Sequence, residues 1–477
     1  MRHRVLIVGG GFGGLYAARE LGKDERVEVT LVDRRNHHLF TPLLYQVATG
    51  AVSPGDIAQP LRSILRRQRN TTVLLGEASE IDPARRIVTL SDGGPIPYDS
   101  LIVAVGARFS YFGHDEWAPA APGLKSIDDA IEVRRRILIA FEAAEREHDP
   151  ERRAEWLTFV IVGGGPTGVE LAGALGEIAR DTLRRDYRSI DTGAARILLV
   201  EAMERILPTY PADRSASARR QLERLGATVR TGTRVVDLDG QSVTVEMAGD
   251  VRERIPARTV LWAAGILVAP FVETVARATG APTDRNGRII VEQDLTVPGH
   301  PEIFAIGDAA VQPWKTDRPV PGVAQGGIQS GRHAARTIRR RLAGEATPPF
   351  RYRNRGDVAV IGRLAGVTDI PWLGPFGRQS GIAAWVLWLT IHLVYLIGFA
   401  NRIVVTVRWA WSFMTHGRGS RLITGDPLLP PIAEPEPPST AAPPTGEPPP
   451  SGEPRPSGEP RPSGEPPTSG EPPPPTA

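Results

Sequence analysis

The chain has 477 residues, room for two or three domains that each bury a core. Its 57 Lys and Arg against 54 Asp and Glu leave a net charge of +3, and no basic arm or recognition motif points to nucleic acid. There is no cysteine, which excludes disulfide staples, thiolate metal sites and a redox-active dithiol. The chain enters an apolar strand pattern at once, so no signal peptide is expected and the globular part is expected in the cytoplasm.

Arg4-Val5-Leu6-Ile7-Val8 reads as a buried parallel strand. It breaks into Gly9-Gly10-Gly11-Phe12-Gly13-Gly14, and a helix pattern follows directly. In the Gly9-x-Gly11-x-x-Gly14 spacing, Gly9 allows the tight turn, Gly11 lets a pyrophosphate reach the backbone, and Gly14 lets the helix pack on the strand. The helix N-terminus then offers free N–H groups to phosphate. Asp33 ends the second strand, where a carboxylate takes ribose hydroxyls. Strand, glycine loop, helix, strand and acid together predict a Rossmann-like dinucleotide site.

Segment 37–50 is apolar without a clean period, and it reads as a turn at Thr41-Pro42 and a short helix covering a flat ligand. His37 and His38 have no acidic or cysteine partner at ligand spacing, so they read as surface or supporting residues and no metal is expected. Leu101 to Val105 is a further buried strand, leaving the sheet at Gly106. Glu142 to Trp156 is charged and helical, a connector.

The opening pattern then returns. Leu157 to Val162 leads into Gly163, Gly165 and Gly168 at the same spacing, and the following strand ends in Glu201 after an intervening helix and loop. Val260 to Ala264 mirrors the earlier exit strand and leaves at Gly265. Two such units let one cofactor stay while another exchanges, and flavin with nicotinamide is the pair between which hydride passes. Glu201 would accept from a 2′-hydroxyl and repel a 2′-phosphate, which favours NADH; Arg205 nearby argues the other way. Further on, Ile303 to Ala305 delivers Asp308, suited to a ribityl hydroxyl of FAD. A helix opening near Ala324 and running to about Leu342 would point its positive end at the flavin.

Phe40-Thr41-Pro42-Leu43-Leu44, Tyr111-Phe112-Gly113-His114-Asp115, Ala324-Gln325-x-x-x-Gln329 and the aromatic C-terminal region resemble the type II NADH dehydrogenases, non-proton-pumping NADH:quinone oxidoreductases. The likeness covers about residues 4–425. It implies an α/β fold of two Rossmann-like domains plus a C-terminal membrane-associated helical region. It also implies that Gln325 and Gln329 lie where quinone meets flavin, and that Glu170 handles a proton or touches nicotinamide. The sequence departs at Gly327, where the family commonly has Ala. The FAD site is therefore expected at Gly9, Gly11, Phe12, Gly13, Gly14, Asp33, Pro42, Gly106, Asp308, Ala324 and Gln325, and the NADH site at Gly163, Gly165, Gly168, Glu170, Glu201 and Gly265. Glu170, Gln325 and Gln329 are the expected catalytic residues.

Residues 380–401 contain no Asp, Glu, Lys or Arg. Trp385, Trp388, His392, Tyr395 and Phe399 recur at helical spacing as one stripe, with aliphatics opposite. Amphipathic rings prefer the membrane interface, and Arg402, Arg408, Arg418 and Arg421 add a basic edge for anionic lipid heads. Segment 380–411 is expected to be a monotopic membrane anchor with a quinone entrance; a single span over 382–400 is the main rival, and a buried core or dimer helix is the third reading. The resemblance adds attachment at the cytoplasmic face of the membrane and a homodimer. From about residue 427 the chain becomes proline-rich, with a Ser-Gly-Glu-Pro repeat from Ser451, which cannot bury a core and reads as a disordered tail.

The expected domains are 1–120 with 285–340 for FAD, 155–280 for NADH, 345–425 for the membrane and 427–477 for the tail. The expected function is transfer of hydride from NADH to FAD and of two electrons onward to quinone. Two alternatives are a flavoprotein reductase of a ferredoxin-type or rubredoxin-type protein acceptor and a membrane-tethered NADH sensor.

Overall fold

A computed structural model describes residues 1–312, 319–415 and 420–425. The expected tail at 427–477 and the basic residue Arg418 lie outside the described residues.

The opening strand, His3–Val8, sits inside a six-stranded sheet. It pairs in parallel with Val27–Asp33 on one side and Ser100–Val103 on the other. His300–Ala305 continues the sheet beyond Ser100–Val103, also in parallel. The apolar run Val5 to Val8 is buried on both faces, as a central parallel strand must be. A second sheet has the order Ala227–Arg230, Arg196–Val200, Thr158–Val162, Thr259–Trp262, parallel throughout. All five residues of Thr158–Val162 are buried.

The exits from the two sheets meet each other. Gly106 and Gly265 both take left-handed backbone, with φ of 72° and 68°. The strands that follow, Ala107–Phe109 and Ile266–Val268, pair antiparallel and so tie the two sheets together. The chain then returns to the first sheet. Helix Pro270–Thr279 lies against Ala78–Asp82 and buries Phe271, Val272 and Val275 in one core with Leu6 and Val8 of the first sheet. The second sheet's last strand ends at Trp262.

Helix Pro166–Glu177 leaves the second glycine loop and lies against a hairpin of Asp357–Gly362 and Ala365–Asp369. Contact is backbone to backbone: a Cβ on Gly173 would lie 1.5 Å from the Ile361 carbonyl oxygen. Helix Ile382–Tyr395 packs on the same hairpin.

The C-terminal region corrects two expectations. The apolar run is not one helix. Helix Ile382–Tyr395 stops where Leu396 turns extended and Gly398 takes φ 95°, and a second helix runs Phe399–Thr415. Among the described residues no helix is long and apolar enough to cross a membrane. Two members of the aromatic stripe also face the other way. Trp388 and His392 are 2% and 8% exposed and lie in the protein, while Ile382, Val386 and Val394 are exposed. The stripe has protein partners, described below, and burying large rings there contributes more than leaving them at an interface.

Candidate active site

The two glycine loops are conformational copies. Gly9 and Gly163 share φ 107°, a backbone that side chains rarely adopt. A Cβ on Gly14 would lie 1.8 Å from the Gly9 carbonyl oxygen, and one on Gly168 would lie 1.9 Å from that of Gly163. Helix and strand thus approach as closely as bare backbone permits. Gly11 and Gly165 are the opposite case, since a Cβ on either meets nothing within 4 Å. Both face open space over the N-terminus of a helix, Phe12–Leu21 and Pro166–Glu177 respectively. That open cradle beside unsatisfied helix N–H groups fits a pyrophosphate.

The two acids are built alike as well. One oxygen of Asp33 accepts from the Gly10 amide at 2.5 Å and the other from the Arg35 amide at 2.7 Å. Glu201 accepts from Gly164 at 2.6 Å and from Met203 at 2.8 Å. Each carboxylate holds its glycine loop closed and keeps lone pairs for a ribose hydroxyl. Arg205, the residue that argued for a 2′-phosphate, donates instead to the carbonyl oxygens of Tyr210 and Pro208, both at 2.8 Å.

Asp308 sits in the short 3₁₀ turn Gly307–Ala309 at the end of His300–Ala305, and among the described residues its carboxylate has no hydrogen-bond or ion-pair partner. Helix Ala324–Leu342 starts nearby and packs on the first glycine-loop helix. Their seam is glycine on glycine: a Cβ on Gly331 would lie 2.1 Å from the Gly13 carbonyl oxygen. At Gly327 a Cβ would sit 3.4 Å from the Gly13 amide, so the alanine common in the family has room here. Pro42 opens a 3₁₀ turn, Thr41–Leu43, that leads into the short helix Leu44–Ala48. Gly265 lies under the Phe112 ring, which a Cβ there would meet at 2.7 Å.

Glu170 lies one turn into the second loop's helix and is half-buried. Burial pushes its pKa well above the usual carboxylate range, and the Val360 amide of the hairpin partly offsets this by bonding to it. The buried Trp388 indole approaches the same carboxyl without closing an aligned hydrogen bond. A column of rings runs on from Trp388. Trp388 stacks on His392 at 4.3 Å, His392 meets Phe40 edge-on at 6.1 Å, and Phe40 meets Phe12 of the first glycine loop at 5.9 Å. His38 completes it against Phe12 at 5.0 Å, bonded to the Gly10 carbonyl oxygen at 3.0 Å. Burial lowers both His38 and His392 to a pKa of about 4, so both rings are neutral at pH 7.

Gln325 and Gln329 stand one turn apart on helix Ala324–Leu342 and grip a neighbouring strap of chain. Gln325 donates to the Gly356 carbonyl and accepts from the Arg355 amide, both at 3.0 Å. Gln329 donates to the Arg353 carbonyl and accepts from the Arg353 amide, again at 3.0 Å. Each side-chain amide behaves as a length of β-ladder and retains one N–H and one lone pair. Tyr395 on helix Ile382–Tyr395 bonds the Arg355 guanidinium, and Trp372 donates to the Arg355 carbonyl oxygen.

Sequence reasoning brought Glu170, the two acids and the glycines together and missed the strap at 353–356, the His392–Trp388 stack and the contact at Gly173. The i, i+4 repeat of Trp388 and His392 carried a signal, but periodicity alone does not say which medium covers a stripe.

Residues 3–337 match the family described as pyridine nucleotide-disulphide oxidoreductase, although the cysteines its name refers to are absent here. Two type II NADH:quinone oxidoreductases of Mycobacterium tuberculosis, Ndh and NdhA, are each 46% identical over 431 residues, covering 89% of this chain and 90% of theirs. A type II NADH:quinone oxidoreductase of Staphylococcus epidermidis is 30% identical over 77% of this chain and 89% of its own. Among solved structures, NDH2 from Plasmodium falciparum in complex with NADH superposes with a TM-score of 0.78 at 20% identity, over 86% of this chain and 98% of that one. The sulfide:quinone oxidoreductase of Aquifex aeolicus has a TM-score of 0.66 at 18% identity, over 84% and 91%. On the family match and these identities, the chain belongs to the pyridine nucleotide-disulphide oxidoreductase family and, within it, to the type II NADH:quinone oxidoreductases.

Proposed function

We propose that the chain passes two electrons from NADH through FAD to a membrane quinone, without proton pumping, and that the residues above divide the work. The carrying observation is the placement of Glu170, a desolvated carboxyl between the second glycine loop and the buried Trp388–His392 stack. FAD, when bound, supplies a hydride acceptor that also yields electrons to quinone. Gly9, Gly11, Gly13 and Gly14 cradle its pyrophosphate beside Phe12, Asp33 takes its ribose, and Asp308 takes a ribityl hydroxyl. Pro42, Gly106 and the helix start at Ala324 and Gln325 line the isoalloxazine end. Gly163, Gly165 and Gly168 seat NADH, Gly265 turns the chain beside it under Phe112, and Glu201 holds the adenine ribose. Glu170, whose carboxyl burial raises in pKa, handles the proton that quinol formation consumes.

Quinone approaches beside Gln325 and Gln329, each with one N–H still free for a carbonyl oxygen. Attachment to the cytoplasmic face of the membrane is monotopic, through Trp372, Phe376, Val386, Val394, Val407 and Trp411, all exposed apolar residues of the C-terminal region. A homodimer belongs to the same reading. Anaerobic mixing with NADH tests the core of it: the flavin bleaches fast with NADH, weakly with NADPH, and recovers with menadione. Bleaching without recovery removes quinone as acceptor and returns the protein-acceptor alternative. Vesicle flotation that is unchanged by a Val394→Glu/Val407→Glu pair overturns the attachment face.

A further inference from the structure

Arg134, Arg135 and Arg136 stand in a row on helix Ile127–Arg146, and the first of them has no acid. Glu132 bonds Arg135 at 2.7 Å and Arg136 at 2.6 Å, the residues three and four positions on that share its helix face. Arg134 is only two positions on, so it leaves that face and turns into the protein, where it is 6% exposed. Its Nη1 donates to the Ser420 carbonyl oxygen at 3.1 Å, which is its one hydrogen bond among the described residues. Its Nε is buried without a partner. Among the described residues no carboxylate lies within ion-pair distance of it, and burial alone, with no charged neighbour, acts on its pKa. A guanidinium does not shed its proton in a protein, so the buried charge stays and needs an opposite one.

Arg134 lines a cavity of about 10 Å³, which admits a single small particle. Ala48, Ile137 and Ile178 give it apolar walls, and no acidic residue lines it. Arg421 lines it too, but bonds Asp186, so that charge is met. The carbonyls that could have served Arg134 are already in use. At the end of helix Leu44–Ala48, Tyr45 accepts from the Thr49 amide at 2.9 Å, Gln46 from the Ala51 amide at 2.8 Å and Val47 from the Gly50 amide at 3.1 Å. The Thr49 hydroxyl also donates to the Tyr45 carbonyl, at 2.8 Å. Gly50, with φ 70°, takes the Ser420 amide on its own carbonyl at 3.1 Å. The cavity therefore keeps one uncompensated positive charge.

We propose that Arg134 binds one small halide anion, chloride, in this cavity, through the N–H groups that Ser420 leaves unused. Size selects the class: room for one small particle excludes phosphate, sulfate and organic carboxylates. Charge selects the valence, since one unmet cation is balanced by one monovalent anion. The apolar walls strengthen the pairing, because little water screens it there. The ion works as a pin. By neutralising Arg134 it removes the cost of holding that guanidinium beneath the Ser420 carbonyl, and so fastens residues 420–421 to helix Ile127–Arg146 and to the turn at Gly50.

The test uses the full-length holoprotein. Crystals soaked in sodium bromide give an anomalous peak within about 4 Å of the Arg134 guanidinium. In solution, melting at fixed ionic strength compares chloride with gluconate, which is too large to enter. Exchanging gluconate for about 0.15 M chloride raises the wild-type Tm by at least about 2 °C. Arg134→Met keeps the bulk and drops the charge; it melts alike in both salts, and no lower than the wild type in gluconate. Arg134→Lys keeps the charge and keeps a chloride shift. Absence of a bromide peak at Arg134 overturns the proposal, as water then suffices there. A chloride shift that persists undiminished in Arg134→Met overturns it as well, because the ion then acts elsewhere. Should Arg134→Met fail to fold, the wild-type bromide map still decides. None of these readouts involves turnover, so either failure leaves the NADH:quinone reading untouched.

Discussion

Gly173→Ala is the sharpest test of how this site is held. The new Cβ would lie 1.5 Å from the Ile361 carbonyl oxygen, and ordinary contact begins at 3.4 Å, so helix and hairpin must part by about 2 Å. Neither side can yield locally, because both are backbone in regular structure. Overpacking of this kind costs about 1–3 kcal/mol. The separation also exceeds what the neighbouring bond from the Val360 amide to Glu170 can tolerate, since hydrogen bonds fail beyond about 3.5 Å. That loss adds about 1 kcal/mol or more. A total near 3 kcal/mol is about a 100-fold change in the folding equilibrium. Urea unfolding followed by circular dichroism reads it directly. The same variant has a kinetic signature: without the Val360 amide, which lowers its pKa, Glu170 titrates at still higher pH, and the limb it contributes to flavin reoxidation shifts upward. An unfolding midpoint and a pH profile both equal to the wild type would refute the backbone-contact reasoning. Gly165→Ala is the control, since its Cβ enters open space: stability should hold while KM for NADH rises about 10-fold or more.

Three further outcomes are expected. Gln329→Ala removes both bonds to Arg353 and should cost about 1–3 kcal/mol and raise KM for quinone, with NADH-driven bleaching intact; normal quinone kinetics would argue that the strap does not shape that mouth. His38 and His392, lowered to about 4, contribute stability that is complete above about 6.5 and lost as pH falls toward 4, because the unfolded chain then binds protons the fold refuses. Melting at pH 5 should fall, and His392→Phe should shrink the drop; an unchanged drop would remove His392 from the account. Asp357 has the opposite sign. Its pKa is raised from 3.8 to about 6, so the fold loses up to about 3 kcal/mol as pH rises across that window, and Asp357→Asn should be the more stable protein at pH 7 by urea unfolding.

The local backbone grammar is legible in the order of residues alone. Glycine spacing determined two loops of the same shape, because only glycine takes φ 107° at Gly9 and Gly163 and only glycine lets a helix sit under 2 Å (Cβ to carbonyl) from the turn at Gly14 and Gly168. The buried strands, the acids at Asp33 and Glu201, and the cysteine-free chemistry follow from runs and counts of residue types. What tertiary structure decided is which surfaces meet. Trp388 and His392 carry the same amphipathic pattern whether lipid or protein covers them, and only the hairpin and Phe40 packed against them show that protein does. Helix Pro270–Thr279 has apolar residues that suit either sheet, and it chose the first. Gln325 and Gln329 reach a strap about 25 to 30 residues away. Periodicity and propensity are properties of neighbours along the chain, whereas burial, pKa and partnership depend on atoms the chain brings together only when it folds.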